Sequence, residues 1–243
     1  MGLIVNPRGT AGSGKTEIVR RVLAAYDWQG PGRAEPLFRP GRTRPFAYRL
    51  AHPAGGRPLV VLGQYGGTCG GCDTIPARDG GLPAALLLAA ERATAGDDVL
   101  LEGLALSADG RLSAALAARH PLHVLRLDTP PDRCVQNLLS RRRAGSGAGG
   151  ALAARLAAKV EAERAALLRA CEALRSRATV EALPFDVALD RALVLLGVAP
   201  WRASASRAGV TAGGGGGDQS SGGSRNRSVS PGSCPAWVSR TWT

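Results

Sequence analysis

Eight residues near the N-terminus constrain this chain more than any other feature. Gly9-Thr10-Ala11-Gly12-Ser13-Gly14-Lys15-Thr16 fits the pattern G-x-x-x-x-G-K-[ST] at every position. It lies between an apolar stretch, Gly2 to Asn6, and a run from Thr16 to Tyr26 in which Ile18, Val19, Val22, Leu23 and Tyr26 share a helical face. A strand, a glycine-rich turn and a helix in that order make a phosphate cradle. Glycines let the backbone curl so that its N–H groups point inward, and the helix N-terminus adds partial positive charge. Gly9, Gly12, Ser13, Gly14, Lys15 and Thr16 are therefore the expected nucleotide contacts. Lys15 reaches the β- and γ-phosphates, and Thr16 places its hydroxyl on Mg²⁺. Lys15 is expected to face solvent until nucleotide arrives. The 33 glycines make a chance match easier, but Lys15 and Lys159 are the only lysines, and one fills the slot.

The rest of the first 200 residues alternates strand and helix patterns. Residues 27–45 read as loop. Ala47 to Leu50 and Pro58 to Leu62 read as a hairpin around Ala54-Gly55-Gly56. A glycine-rich loop follows from Gly63 to Asp73, then a helix from Leu82 to Thr94, a strand from Asp98 to Glu102 and a helix from Gly110 to Arg119. Leu122 to Leu127 is a strand. Thr129-Pro130-Pro131-Asp132 looks like an N-cap, first-turn prolines and a capping-box acid for a helix running to Arg142. Leu152 to Leu174 repeats at helical spacing, Thr179 to Leu183 is a last strand and Asp186 to Leu196 a last helix. Such alternation predicts an α/β fold, a mainly parallel sheet covered on both faces. Ligands in such sheets bind beyond the strand C-termini, where the loop at Gly9, Glu102 and the loop at Asp73 all fall.

Val99-Leu100-Leu101-Glu102 is an apolar strand ending in one carboxylate, suited to holding Mg²⁺ or polarising a nucleophile; the bland alternative is an acid opening a solvated loop. Asp97 and Asp98 belong at the strand's far end. Asp73 is the one acid in the glycine-rich loop, and its glycines would allow the backbone close to a ligand. It is a candidate base, with Glu102 as competitor; the alternative is a surface loop whose Asp73 caps the turn at Thr74 and Ile75. Arg141-Arg142-Arg143 ends a helix before a flexible link from Gly145 to Gly150. It suits a lid that closes over phosphates, or simply a basic helix end meeting the dipole. Arg33, Arg39, Arg42, Arg44 and Arg49 interleave with Trp28, Phe38, Phe46 and Tyr48. That mixture suits nucleic acid, and equally suits core aromatics under a solvated face. Cys69 and Cys72 form a C-x-x-C without a second pair, a poor zinc site.

The formal net charge of +12 favours a polyanionic partner, with unspecific attraction as the alternative. No apolar run is long enough to span a bilayer, and no signal-like start is visible, which predicts a cytoplasmic protein without a membrane partner. Residues 201–243 are rich in Gly, Ser and Arg, a composition that predicts a disordered tail beside a domain of residues 1–200. Oligomeric state leaves no mark in the sequence.

Arg8-Gly9 with its phosphate loop, Gly70-Gly71-Cys72-Asp73-Thr74-Ile75, Leu101-Glu102-Gly103 and Arg141-Arg142 together resemble the small phage-type P-loop kinases. These include kinases that phosphorylate 5-hydroxymethyluracil within DNA. The resemblance covers residues 2–198. It implies a P-loop NTPase/kinase-like three-layer fold and an ATP-dependent phosphotransferase using Mg²⁺. Lys15, Asp73, Glu102, Arg141 and Arg142 would be catalytic, with Thr16 and Glu102 at the metal. Asn6-Pro7 ahead of Arg8 depart from the expected continuation of the strand. The acceptor is a hydroxyl of a base in DNA, or of a nucleoside or nucleotide. The rivals are a free nucleotide kinase of thymidylate type and a P-loop ATPase acting as a binding switch. No Asn/Thr-Lys-x-Asp segment for reading guanine is visible, which argues against a GTPase.

Overall fold

In a computed structural model of the chain, residues 1–67, 70–142 and 149–199 are described. Cys69, Arg143 and the expected tail lie outside them. The strands are β1 (Ile4–Arg8), β2 (Ala34–Leu37), β3 (Ala47–Leu50), β4 (Leu59–Leu62), β5 (Asp98–Leu100), β6 (Leu122–Leu127) and β7 (Thr179–Leu183). The helices are α1 (Lys15–Ala25), α2 (Gly81–Thr94), α3 (Leu104–Ala108), α4 (Arg111–Ala117), α5 (Pro131–Arg141), α6 (Gly149–Leu174) and α7 (Phe185–Leu195). The strands form one sheet in the order β2-β3-β4-β5-β1-β6-β7. From β4 to β7 the neighbours are parallel; β3 runs antiparallel to both β2 and β4.

Alternation along the central strands builds two cores. Val5, Leu100 and Leu125 point to one face, where they meet Ile18, Val22 and Leu23 of α1 and Leu189 and Leu193 of α7. Ile4, Val99 and Val124 point to the other, against α2, Leu116 of α4 and Leu167, Cys171 and Leu174 of α6. Strands buried on both faces read as continuous apolar runs, which is why β4 and the Val99-Leu100-Leu101 run at β5 were legible. The result is the expected α/β sheet between two helical layers.

Several local expectations need correction. β1 runs through Pro7 to Arg8, two residues past the predicted end. Val5 faces β5, accepting from Leu101 N, so Pro7, two residues on, also faces that side. The β1–β5 pairing ends at Val5 and Leu100, so the missing N–H of Pro7 breaks no ladder bond. Asn6 Nδ2 reaches Leu101 O instead at 2.8 Å. The predicted loop at 27–45 contains β2, an edge strand where Pro36 is tolerated. Thr129 does not cap α5: Pro130 holds the cap position, and the Thr129 hydroxyl donates to Ser13 O at 2.9 Å. Helix α3, between Glu102 and Asp109, was not anticipated.

At the far end of the sheet Asp97 and Asp98 are buried and paired. Asp97 takes Arg49 and Arg92, and Asp98 takes Arg57 at 2.9 Å and Leu3 N at 2.9 Å. Both serve the fold at the start of β5, the end of the strand away from Glu102. No helix among the described residues is long and apolar enough to cross a membrane.

Candidate active site

The turn after β1 is held by groups from several elements. Gly9 N donates to Ser107 Oγ at 3.3 Å, Asn137 Nδ2 donates to Gly12 O at 2.8 Å, and Thr129 holds Ser13 O. Arg8, fully buried, anchors the strand end. Its guanidinium donates to Asn6 Oδ1, Asp109 O and Ser113 Oγ at 2.6–2.7 Å. Burial lowers its pKa to about 10, with Cys171 and the Asp109 charge opposing the shift. Two glycines are required by geometry. Gly12 has φ 80, and a Cβ there would meet Cys134 O at 2.4 Å; Gly14 has φ 105 and lies against the Phe185 ring. The Ser13 hydroxyl is buried with no hydrogen-bond partner among the described residues.

Lys15 is not solvent-facing. It is buried, and its Nζ donates to Gly9 O at 2.8 Å and Thr10 O at 2.9 Å. Folding back onto its own loop satisfies the ammonium where water is excluded. Burial lowers its pKa, while Glu102, Asp73 and Glu163 oppose that shift.

Thr16 and Glu102, the two residues expected at the metal, lie together: Thr16 Oγ1 donates to Glu102 Oε1 at 3.0 Å. Glu102 lies two residues beyond β5 and is buried. Desolvation raises its pKa, Lys15 and the Thr16 hydrogen bond pull it down, and the Asp73 charge pushes it up again. Gly71 explains the closeness of the loop to this acid. At φ 67, a Cβ there would lie 2.2 Å from Glu102 O and 2.9 Å from Oε1. The close approach that glycine permits here is therefore to Glu102 itself.

Asp73 is exposed at the same end of the sheet. Its carboxylate accepts from Leu104 N at 2.6 Å and Ala105 N at 3.4 Å, capping α3 from outside that helix. It does not cap its own turn; there Thr74 Oγ1 bonds Gly71 O and receives Gln64 N. Arg141 and Arg142 are exposed at the end of α5, and no hydrogen bond or ion pair joins either to the loop or the carboxylates. The structure thus brings Lys15, Thr16, Glu102 and Asp73 together and leaves the two arginines apart.

Two residues went unnoticed in the sequence. Glu163 of α6 accepts a hydrogen bond from Ala11 N at 2.7 Å, planting a carboxylate on the loop, while Lys159 pairs with it at 3.7 Å. Lys159 and Glu163 stand four apart and read as an ordinary helix-surface pair. Tyr65 is buried, and its hydroxyl has no hydrogen-bond partner among the described residues. Its pKa is pushed well up by burial, then by the charges of Glu102, Cys72 and Asp73. Nothing in the sequence distinguishes Tyr65 from a core aromatic.

No family model matches the chain. It is 41% identical over 140 residues to a 5-hmdU DNA kinase of Pseudomonas phage PaMx11, a stretch that makes up 57% of this chain and 69% of that protein. With more than two thirds of that relative covered at such identity, the chain belongs to the family of phage 5-hmdU DNA kinases and is a phosphotransferase.

Proposed function

We propose that the chain transfers the γ-phosphoryl group of ATP, with Mg²⁺, to the hydroxymethyl oxygen of 5-hydroxymethyluracil in DNA. One observation carries the reading: a lysine, a hydroxyl–carboxylate pair and a second carboxylate converge on a glycine-rich turn at the carboxyl ends of parallel strands. The relative's name supports the acceptor.

The residues fit both groups. Ser13 Oγ is an orphaned donor within the loop, and Thr16 Oγ1 with Glu102 Oε1 offers the oxygen ligands a hard cation takes. Gly9, Gly12, Ser13, Gly14, Lys15 and Thr16 would hold the phosphates; Thr16 and Glu102 would hold the metal. When bound, Mg²⁺ supplies charge neutralisation on the β- and γ-phosphate oxygens. Lys15 would exchange the Gly9 and Thr10 carbonyls for phosphate oxygens. Asp73 would accept the proton of the acceptor hydroxyl as its oxygen bonds to phosphorus and the bond to the ADP oxygen breaks. A carboxylate has about four lone-pair sites, so Asp73 can cap α3 and take this proton. Arg141 and Arg142 would close over the phosphates as part of a lid. All of this chemistry falls within residues 1–200.

Asp73→Asn and Glu102→Gln separate the roles. Asp73→Asn keeps ATP affinity near wild type and reduces transfer by about 10²–10⁴-fold. Glu102→Gln raises the Mg²⁺ concentration needed for half-maximal rate. Full transfer by Asp73→Asn would remove it as base.

A further inference from the structure

The arginine–aromatic segment divides once its contacts are known. Trp28 and Tyr48 pack edge to face at 6.0 Å, and Phe46 is buried. Arg39 and Arg42 stack on the Phe46 ring at 4.4 and 5.3 Å, Arg42 pairs with Asp79, and Arg49 with Asp97. Those residues serve the fold. Phe38, 55% exposed, and Arg44, exposed and without an ion pair among the described residues, do not.

Their position gives them a use. Leu37 pairs with Ala47, and Ala47 with Leu62, so residues 38–46 cross the sheet at the end where β4 stops. Because β4, β5 and β1 are parallel, that is also the end bearing Glu102 and the loop at Gly9. The connection is tied to the segment carrying Asp73. Gly63 N donates to Phe46 O at 2.9 Å, Gln64 Nε2 to Pro45 O at 3.3 Å, and Arg42 meets Asp79 at 3.2 Å. Its tip is preformed: Arg39-Pro40-Gly41-Arg42 closes with Arg42 N on Arg39 O at 3.1 Å, with Gly41 at φ 78, the type II pattern. Residues 38–46 contain three arginines and no acid.

A single exposed phenylalanine is commonplace. A phenylalanine and a guanidinium without an ion pair among the described residues, on a braced, acid-free loop at the end of the sheet that also carries Asp73 and Glu102, fit nucleic acid, whose bases present π-faces and whose backbone presents phosphates. We propose that the 38–46 connection is the docking surface for the DNA strand that carries the acceptor base, Phe38 stacking on an unstacked base and Arg44 pairing with a backbone phosphate. The proposal rests on the reading of DNA as acceptor.

The test uses the full chain, ATP and oligonucleotides containing 5-hydroxymethyluracil. Phe38→Ala raises the DNA KM about tenfold or more while the ATP KM stays at the wild-type value, and Phe38→Trp restores it. Arg44→Ala lowers the slope of log affinity against log salt by about one, and Arg44→Lys keeps it. If wild type phosphorylates DNA and both alanine variants match it in KM and slope, the docking surface is overturned and the kinase reading stands. If wild type phosphorylates free nucleosides and no DNA, the acceptor reading falls and the docking proposal with it.

Discussion

Lys15 and Glu102 are buried charged groups that hold each other in check, and their titration is the first thing the site makes measurable. Burial raises the Glu102 pKa above its ordinary 4.5. A carboxyl raised on folding binds its proton more tightly in the native state, so its contribution to stability is lost as pH rises through the native pKa. If Glu102 holds Mg²⁺ as proposed, the metal needs its ionised form, and the KM for Mg²⁺ should climb as pH falls through that raised pKa. Glu102→Gln should abolish this acid limb; a limb surviving in the variant would assign it elsewhere. Tyr65 offers a test of opposite sign. An unpaired buried hydroxyl costs about 1–3 kcal/mol, so Tyr65→Phe should raise the melting temperature, and a lower one would mean the hydroxyl has a partner when folded. Residues whose place follows from local sequence were legible: the glycines and Lys15 in the turn after β1 from their spacing, Glu102 just past β5 from its apolar run. Two features were not: the inward fold of Lys15 and the capping of α3 by Asp73. The first depends on how the turn curls, which puts the Gly9 and Thr10 carbonyls within reach of Nζ, and the second on a partner helix 31 and 32 residues away.

At the scale of elements, long apolar strands and amphipathic helices announced themselves. β6 and β7 fall at the predicted residues, and α2 and α6 near them. The two that did not, β2 and α3, have four and five residues. β2 carries Glu35 and Pro36 at a sheet edge, and α3 depends on a cap from a distant loop, so neither has a pattern of its own. Helix α6 reaches the loop: Glu163 places negative charge on Ala11 N and near Lys15, where a triphosphate bound as proposed would bring more of the same sign. Glu163→Gln should therefore bind ATP more tightly than wild type by calorimetry, by a few fold. Weaker binding would make Glu163 a support of the loop rather than a competitor for it.

Across the sheet, the order β2-β3-β4-β5-β1-β6-β7 gathers residues from distant parts of the chain at one end, beyond the carboxyl ends of its central strands: the turn after β1, the loop after β4 and the acid after β5. Linear sequence showed that each follows a strand; only the register shows that they meet. The net charge of +12 belongs to this scale too, since a single nucleotide needs less positive field than a DNA backbone does. Transfer to DNA should accordingly weaken steeply as salt rises. The most direct measurement is to incubate the purified chain with ATP labelled at the γ-phosphate, Mg²⁺ and DNA containing 5-hydroxymethyluracil, then digest the DNA to nucleosides and identify the labelled product by mass. Label on the hydroxymethyl group of that base, absent when Lys15→Ala replaces wild type, is the predicted result. Label confined to free nucleosides or nucleotides, or label on DNA that persists in Lys15→Ala, would contradict it.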